Sequence, residues 1–141
     1  MIVEDEEVNF MFIELLLLEK LKIKCNIIHA INGKEAVEIC ENNANIDFVL
    51  MDLKMPVMDG IEATKLIKKF RPDLPIIAQS AYTSDQDKKR AEDAGCSDFI
   101  SKPIKKEILN NSINNFIKTK LQWKLKKFIL SNKVKLIISN I

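Results

Sequence analysis

The chain has 141 residues and a mass of 16.2 kDa, with 47% hydrophobic residues, 30% charged residues and a formal net charge of +2. These values predict one soluble globular domain with a core of its own. Seven lysines and no acid lie from Lys118 onwards, so residues 1–117 carry a net charge of −5. Because proteins that bind nucleic acid usually carry positive charge on their folded body, this pattern argues against a nucleic-acid partner.

The three cysteines, Cys25, Cys40 and Cys96, have neither the spacing of a metal site nor the even number of a disulfide framework. We expect them to be plain core or half-buried residues in a reducing, cytoplasmic compartment. The acids at positions 4–7 argue against a signal peptide, and no apolar run approaches the about 20 residues that span a bilayer.

Apolar, strand-like runs alternate with helix-like segments along the chain. In chain order, strands are predicted at residues 2–3, 26–31, 46–51, 76–79 and 99–100. Helices are predicted at residues 8–21, 34–41, 61–70 and 85–94, with a last helix after Pro103. Five βα units joined by short loops imply an α/β fold with a parallel sheet and helices on both faces. The first strand is short for a central strand, so we expect a fragment or a trimmed start.

Polar residues and glycines mark the predicted helix boundaries. Asn32 is predicted to cap the second helix, with Glu35 completing a capping box. Ser84 is predicted to cap the fourth helix, and Gly95 suits the left-handed position after it. The pair Asp59-Gly60 is interpreted as a turn.

Reactive groups follow four of the predicted strands, at the point where each strand ends. Glu4-Asp5 follow the first strand, Asp52 the third, Ser80 the fourth and Lys102 the fifth. Since the carboxyl ends of parallel strands meet in one crevice, these side chains are expected to lie together. Three close carboxylates need a cation between them, and oxygen ligands favour Mg²⁺. An aspartate beside Mg²⁺, a lysine and a hydroxyl is equipped to attack phosphorus and form an acyl phosphate.

Four segments resemble the receiver domain of two-component response regulators, and the resemblance covers residues 1–118. They are Ile2-Val3-Glu4-Asp5, residues 51–60 (MDLKMPVMDG), residues 76–81 (IIAQSA) and residues 98–104 (DFISKPI). All four in this order and spacing are specific for the family. The resemblance implies a flavodoxin-like (βα)5 three-layer sandwich with sheet order 2-1-3-4-5. A basic and apolar extension over residues 119–141 is expected to continue the last helix.

The resemblance implies that Asp52 accepts a phosphoryl group from a phosphohistidine on a sensor histidine kinase or a histidine phosphotransfer domain. It makes Asp5, Asp52 and the Lys54 carbonyl the ligands of Mg²⁺, with Glu4 acting through a water on the metal. A receiver catalyses its own phosphorylation and dephosphorylation without being a conventional turnover enzyme.

The resemblance also implies a conformational switch. Ser80 and Lys102 would contact the phosphoryl oxygens, and the Lys102-Pro103 bond would be cis. Phe99 would be the switch aromatic that turns inward when Ser80 moves toward the phosphate; alternatively, it is a half-buried core residue. Ser80, Phe99 and Glu4 stand where threonine, tyrosine and aspartate are commoner, which removes the switch hydroxyl and keeps the chemistry.

Two further interpretations concern the acid pair and the only histidine. Glu4-Asp5 is also interpreted as an N-cap of the first helix, whose positive dipole end it complements. His29 lies in a predicted strand away from the acids, so we expect it to be structural rather than a phosphodonor.

The first predicted helix is apolar on nearly all sides. The stripe expected to face the sheet comprises Phe12, Ile13, Leu16 and Leu17. Met11, Leu15 and Leu18 are left for another surface. A helix that is apolar on two faces indicates a partner, and receivers commonly meet the phosphodonor domain there; alternatively, the tail covers it. We interpret the tail as a helix extension or an oligomer contact, which would allow a homodimer.

The sequence therefore predicts a Mg²⁺-dependent phosphoacceptor receiver, either a stand-alone regulator or the cytoplasmic receiver of a membrane-bound hybrid histidine kinase. Two alternatives come from other classes of protein. A phosphate-independent interaction module is disfavoured by the intact set of acids. A small Mg²⁺-dependent phosphatase with an aspartyl nucleophile needs an acid two residues after the nucleophile, where this chain has Lys54.

Overall fold

The computed structural model describes residues 1–119 and 122, and its centre is a five-stranded sheet in the order β2-β1-β3-β4-β5. The strands are β1 Ile2–Val3, β2 His29–Ala30, β3 Val49–Asp52, β4 Ile76–Ser80 and β5 Asp98–Ser101. All neighbouring pairs are parallel. This is the order 2-1-3-4-5 that the resemblance implies, so the predicted flavodoxin-like fold class is confirmed.

A helix follows each strand. The helices are α1 Glu7–Leu15, continued by a π-helical turn over Leu16–Lys20, α2 Gly33–Asn42, α3 Gly60–Phe70, α4 Asp85–Ala94 and α5 over residues 106–119. The bounds of α4 agree with the prediction, whereas α2 is one residue longer at each end and α3 is one residue longer at its start. Strand β2 is shorter than predicted because its neighbour β1 offers only two residues to pair with it.

The predicted caps of α2 and α4 are confirmed. Asn32 Oδ1 accepts a hydrogen bond from the Glu35 N–H at 2.9 Å, and Ser84 caps α4 in the same way. Gly95 follows α4 with φ 102°, in the left-handed region that glycine tolerates best. The capping box is modified, since the Glu35 carboxylate accepts from the Ile31 N–H at 2.8 Å rather than from the cap residue.

The interpretation of Asp59-Gly60 as a turn is wrong, because the pair begins α3. The Asp59 carboxylate accepts a hydrogen bond from the Glu62 N–H at 2.8 Å. Asp59 is therefore the N-cap, and Gly60 is the first helical residue. Short polar side chains suit both turns and caps, because in both places they reach a backbone N–H nearby.

Side chains alternate between the two faces of the sheet, and this alternation positions the strand ends. One face forms an apolar cluster with α2 and α3, comprising Val3, Ala30, Val49, Met51, Ile76, Ala36, Cys40, Ala63 and Ile67. The alternate residues of the strands are Ile2, Leu50 and Ile77. Two residues further along the same face come Glu4, Asp52 and Gln79, at the carboxyl ends of three adjacent strands.

The apolar residues of α1 divide differently from the prediction. Ile13, Leu16 and Leu17 are 1%, 7% and 2% exposed, as predicted for sheet-facing residues. Phe12 is predicted in the same stripe, but it is 46% exposed. Each residue turns the helix by about 100°, so Phe12 points in a different direction from the buried Ile13 that follows it. The exposed apolar residues form one surface, called here the α1 stripe: Val8, Met11, Phe12, Leu15 and Leu18.

The chain comprises two units, Met1–Leu109 and Asn110–Ile141. The first contains the sheet and α1 to α4. In the second, residues 110–119 and 122 are helical, and the rest of the predicted extension lies outside the described residues. Within the described part of the chain, no helix has the length and hydropathy that crossing a membrane requires. The three cysteines are free, one buried and two half-buried, as predicted.

Arg71 ties the end of α3 to the end of α2. Its guanidinium donates hydrogen bonds over 2.9–3.4 Å to four backbone carbonyls, those of Cys40, Asn43, Ala44 and Ile46. The last carbonyls of a helix have no partners within the helix. Arg71 therefore satisfies groups that α2 leaves open, and it holds the loop that leads into β3.

Replacing Arg71 by methionine is expected to lower the free energy of unfolding by about 2 kcal/mol, because hydrogen bonds from a charged donor are lost at a half-exposed site. Arg71→Lys keeps the charge without the planar fork and should fall between this variant and the parent. Urea unfolding measures both, with Arg90→Lys on the exposed face of α4 as the matched control. An unchanged midpoint for Arg71→Met would contradict a stabilising role for these contacts.

Candidate functional site

Asp52 is the last residue of β3, and only 6% of its surface is exposed. Its Oδ1 accepts a hydrogen bond from the Lys54 N–H at 3.0 Å, which holds the plane of the carboxylate. Just beyond it, the Leu53 N–H donates to the Gln79 carbonyl of β4 at 3.1 Å. The strand end is therefore held by its neighbours, and Oδ2 is left to accept a hydrogen bond from another side chain.

Gly60 allows α3 to begin directly against the end of β3. Its N–H donates to the Leu53 carbonyl at 3.1 Å. A Cβ at this position would lie 2.0 Å from the Asp52 carbonyl oxygen, closer than any side chain can approach. Glycine is therefore required here by the close approach of the helix to the residue that carries the carboxylate.

Lys102 reaches from the end of β5 to carboxylates on two other strand ends. Its Nζ donates to Asp52 Oδ2 at 2.5 Å and to Glu4 Oε2 at 2.8 Å. Burial by itself lowers the pKa of Lys102, but the bonds to Asp52 and Glu4 outweigh burial and raise that pKa above its ordinary value. Lys102 is therefore a charged donor shared by two carboxylates. The Lys102-Pro103 peptide is cis, as the resemblance implies.

Glu4 is a fully buried carboxylate, with 0% of its surface exposed. Its Oε2 accepts hydrogen bonds from Lys102 Nζ at 2.8 Å and from Gln79 Nε2 at 3.3 Å. Its Oε1 accepts one from Asn9 Nδ2 at 3.3 Å. Burial raises the pKa of Glu4 above its ordinary value. The hydrogen bond from Lys102 opposes this rise, and the negative charge of Asp52 adds to it. The carboxylate depends on these donors because an unpaired buried charge costs several kcal/mol.

Glu4, Asp5 and Asp52 meet at one edge of the sheet, where each offers an oxygen within 4.8 Å of the others. Asp5 is exposed, and the other two are buried. The single charge of Lys102 cannot balance three close carboxylates. An all-oxygen set that faces solvent on one side fits Mg²⁺, which keeps several waters. The N-cap of α1 is Glu6, so the acid pair does not cap that helix.

Ser80 and Phe99 lie next to this acidic cluster. The buried Ser80 hydroxyl accepts a hydrogen bond from the Tyr82 N–H at 3.0 Å, and the Ser80 carbonyl accepts one from the Lys102 N–H at 2.8 Å. Phe99 is half-buried and borders a cavity of about 530 Å³ that Lys102 also lines. Its apolar neighbours are Leu53, Ala78 and Ala91. Of the two residues predicted to form the switch, Ser80 is thus bonded to the backbone of Lys102, and Phe99 lines the same cavity as Lys102.

Two residues of the site are missed or misplaced by the sequence predictions. Gln79 donates to Glu4, and its only signal in the sequence is a polar residue in an aliphatic strand. His29 is predicted to lie away from the acids, and this is wrong, because its Nε2 bonds to the Glu4 carbonyl at 2.8 Å. Its ring also stacks on Phe10, with centroids 3.7 Å apart. The pairing of β2 with β1 brings His29 to this strand end.

Lys54 uses its backbone and its side chain differently. The backbone N–H holds Asp52, whereas Nζ lies 3.3 Å from the centroid of the Tyr82 ring in a cation–π contact. Lys54 and Ser80 also line a cavity of about 470 Å³. The position two residues after Asp52 therefore carries a cation held on an aromatic ring, where the phosphatase alternative requires an acid.

The sequence model of the family described as response regulator receiver domain matches residues 1–114. The chain therefore belongs to the response regulator receiver domain family. It is 39% identical over 121 residues to the hybrid signal transduction histidine kinase G of Dictyostelium discoideum. That match covers 82% of this chain and 3% of the kinase, so the chain spans a small part of this relative's length.

Two solved structures are similar in both fold and sequence. A chain in the complex of the Saccharomyces cerevisiae histidine phosphotransfer protein Ypd1 with the receiver domain of Ssk1 is 33% identical, with a TM-score of 0.72. The match covers 82% of this chain and 85% of that chain. A chain of the CheX-CheY-BeF3-Mg complex of Borrelia burgdorferi is 30% identical, with a TM-score of 0.76 and coverage of 82% and 86%. Both agree with the family assignment.

Gly60→Ala is expected to lower the free energy of unfolding by about 3 kcal/mol, because the methyl group must displace the Asp52 backbone. Urea unfolding measures the change. Glu62→Ala, on an exposed position in the same turn of α3, is the matched control and should stay close to the parent. If Gly60→Ala were as stable as the parent, the close approach of α3 to β3 would not be a constraint.

Proposed function

We propose that the chain is a phosphoacceptor receiver of a two-component phosphorelay, which takes a phosphoryl group from a phosphohistidine onto Asp52 in the presence of Mg²⁺. The observation that carries the proposal is the Lys102 ammonium, shared between Asp52 Oδ2 at 2.5 Å and Glu4 Oε2 at 2.8 Å. A point charge on a flexible stem can turn to an incoming phosphoryl oxygen without leaving the cluster. The family assignment supports the same reaction.

The transfer is a displacement at phosphorus. A carboxylate oxygen of Asp52 attacks and forms the new P–O bond. The P–N bond to the donor imidazole breaks, and its electron pair returns to the ring nitrogen. The Lys54 N–H keeps the carboxylate in place through Oδ1, while Lys102 turns from Oδ2 to a phosphoryl oxygen. The residues act mainly by positioning and by neutralising charge.

Asp5, Asp52 and the Lys54 carbonyl would hold Mg²⁺, and Glu4 would act through a water. The ion, when bound, neutralises carboxylate and phosphoryl charge in the crevice. The burial of two of the acids and the exposure of Asp5 support this assignment. The side of the cluster that carries Asp5 is open to water and to an incoming phosphoryl group.

We also propose that Ser80 and Phe99 report the phosphorylation of Asp52. The Ser80 hydroxyl bonds to the Tyr82 N–H at 3.0 Å, so turning toward a phosphoryl oxygen would release the chain after β4. The cavity of about 530 Å³ beside Phe99 offers space for the ring to turn as Ser80 moves.

Two settings fit the chain, a stand-alone regulator and the receiver of a hybrid histidine kinase. The likeness to kinase G supports the second setting. A cytoplasmic location, expected from the cysteine usage, and a homodimer both remain predictions.

Intact mass after incubation with acetyl phosphate and Mg²⁺ tests the acceptor. The parent is expected to gain one phosphoryl group, and Asp52→Asn none, because the amide oxygen is a poor nucleophile toward phosphorus. Removing Mg²⁺ with a chelator should abolish the gain. Asp73→Asn makes the same change at an exposed acid in the loop before β4 and should be labelled like the parent.

Three outcomes would contradict this assignment. No added phosphate on the parent would refute the proposed function. Equal labelling of the parent and of Asp52→Asn would place the acceptor elsewhere. Turnover of a phosphomonoester that survives repurification would favour the phosphatase alternative.

We propose that the α1 stripe receives the phosphodonor domain. Its five side chains are 37% to 77% exposed, and a contiguous exposed apolar surface of this kind marks an interaction site. Helix α1 begins two residues after Asp5, so a domain on this surface lies close to the acidic cluster. The Ypd1–Ssk1 complex, which joins a receiver and a histidine phosphotransfer protein, supports the class of partner.

Met11→Lys combined with Leu15→Lys is expected to slow transfer from a phosphorylated histidine phosphotransfer protein by about tenfold, because each change places a charge in the interface. Labelling by acetyl phosphate should stay unchanged, since a small donor does not need the stripe. Phe70→Lys, at the exposed end of α3, is the matched control. Equal slowing by the control, or none by the double variant, would contradict docking on the α1 stripe.

A further inference from the structure

Gln79 is a polar residue at a position where packing favours an apolar one. It is 0% exposed in β4, and the residues before it in the strand are Ile76, Ile77 and Ala78. Its Oε1 is buried and accepts no hydrogen bond from any residue that the structure describes. Because a buried amide oxygen without a donor destabilises a fold, packing alone does not account for Gln79.

The other end of the same amide is directed at the acidic cluster. Gln79 Nε2 donates to Glu4 Oε2 at 3.3 Å. The nitrogen faces Glu4 because an ionised carboxylate accepts hydrogen bonds and donates none. Gln79 lies opposite Asp52 in the register of β3 with β4, so its side chain reaches Glu4 on the face of the sheet that carries both acids.

Gln79 and Lys102 share one oxygen of Glu4, but only one of them is free to leave it. Under the proposed function, the Lys102 ammonium turns to a phosphoryl oxygen. The backbone of Gln79 is paired on both sides, with β3 and with β5, and its side chain is fully buried, which restricts the movement of the side-chain amide. Glu4 Oε2 then keeps the amide as its donor at a fully buried position.

We infer that Gln79 is a positioning residue of the Mg²⁺ site, whose amide holds the Glu4 carboxylate in place while its own Oε1 stays without a donor. The inference rests on the proposed function and extends it to a residue outside the acidic cluster. It implies that removing the amide separates two properties of the protein. Affinity for Mg²⁺ falls, whereas the stability of the fold does not.

Gln79→Met keeps the length of the side chain and removes the amide. Calorimetric titration of Mg²⁺ into the full chain is expected to give a dissociation constant about tenfold above the parent's, as when a partner of a metal-binding group is lost. The urea midpoint should be unchanged, because the unsatisfied oxygen is lost together with the amide bond, and Glu4 keeps Lys102 and Asn9 as donors. Gln79→Leu is a second apolar variant. Thr64→Val, which removes a buried hydroxyl in α3, is the matched control and should leave the affinity unchanged.

An unchanged dissociation constant in both Gln79 variants would overturn the inference, and the proposed function would stand if the parent binds Mg²⁺ and is labelled at Asp52. A parallel loss of affinity and stability would show that Gln79 supports the fold, which also overturns the inference. A parent that neither binds Mg²⁺ nor accepts a phosphoryl group would refute the proposed function, and the role of Gln79 with it.

Discussion

A single half-buried ammonium between two buried carboxylates is the interaction on which this structure depends. Lys102 reaches Asp52 and Glu4 together, and either carboxylate without that partner would be a costly buried charge. Lys102 follows β5, Asp52 ends β3 and Glu4 follows β1, so the three residues meet because the sheet has the order 2-1-3-4-5. The charge arrangement therefore depends on the order of the strands, and the paired charges in turn stabilise that order.

Several residues around this charge cluster are types that local packing alone would not favour. Gly60 leaves room for the Asp52 carbonyl where any side chain would collide. Gln79 places an amide in an aliphatic strand, and its Oε1 has no hydrogen-bond partner within the part of the chain that the structure describes. Three acids lie together and Lys102 contacts two of them, so negative charge is in excess at this edge of the sheet. Such departures from local rules concentrate at functional sites, because the surrounding fold can carry them.

Much of the fold could be predicted because its signals are local. The caps at Asn32 and Ser84 depend on a backbone N–H three residues away, and α4 depends on its own caps and glycine. Apart from Asp59-Gly60, whose local signal suits a turn and a helix cap equally, the errors concern distant neighbours. The length of β2 depends on β1, the exposure of Phe12 depends on how α1 is rotated against the sheet, and His29 meets Glu4 only through the pairing of two strands.

The sequence by itself determined the alternation of strands and helices and the acids, hydroxyl and lysine at the strand ends, because periodicity and chain position carry that information. The tertiary structure decided which groups touch. That Lys102 bridges Glu4 and Asp52, and that Gln79 turns its nitrogen to Glu4, depends on strand register and on distances of about 3 Å. Those distances exist only once the strands lie side by side, so no stretch of sequence encodes them alone.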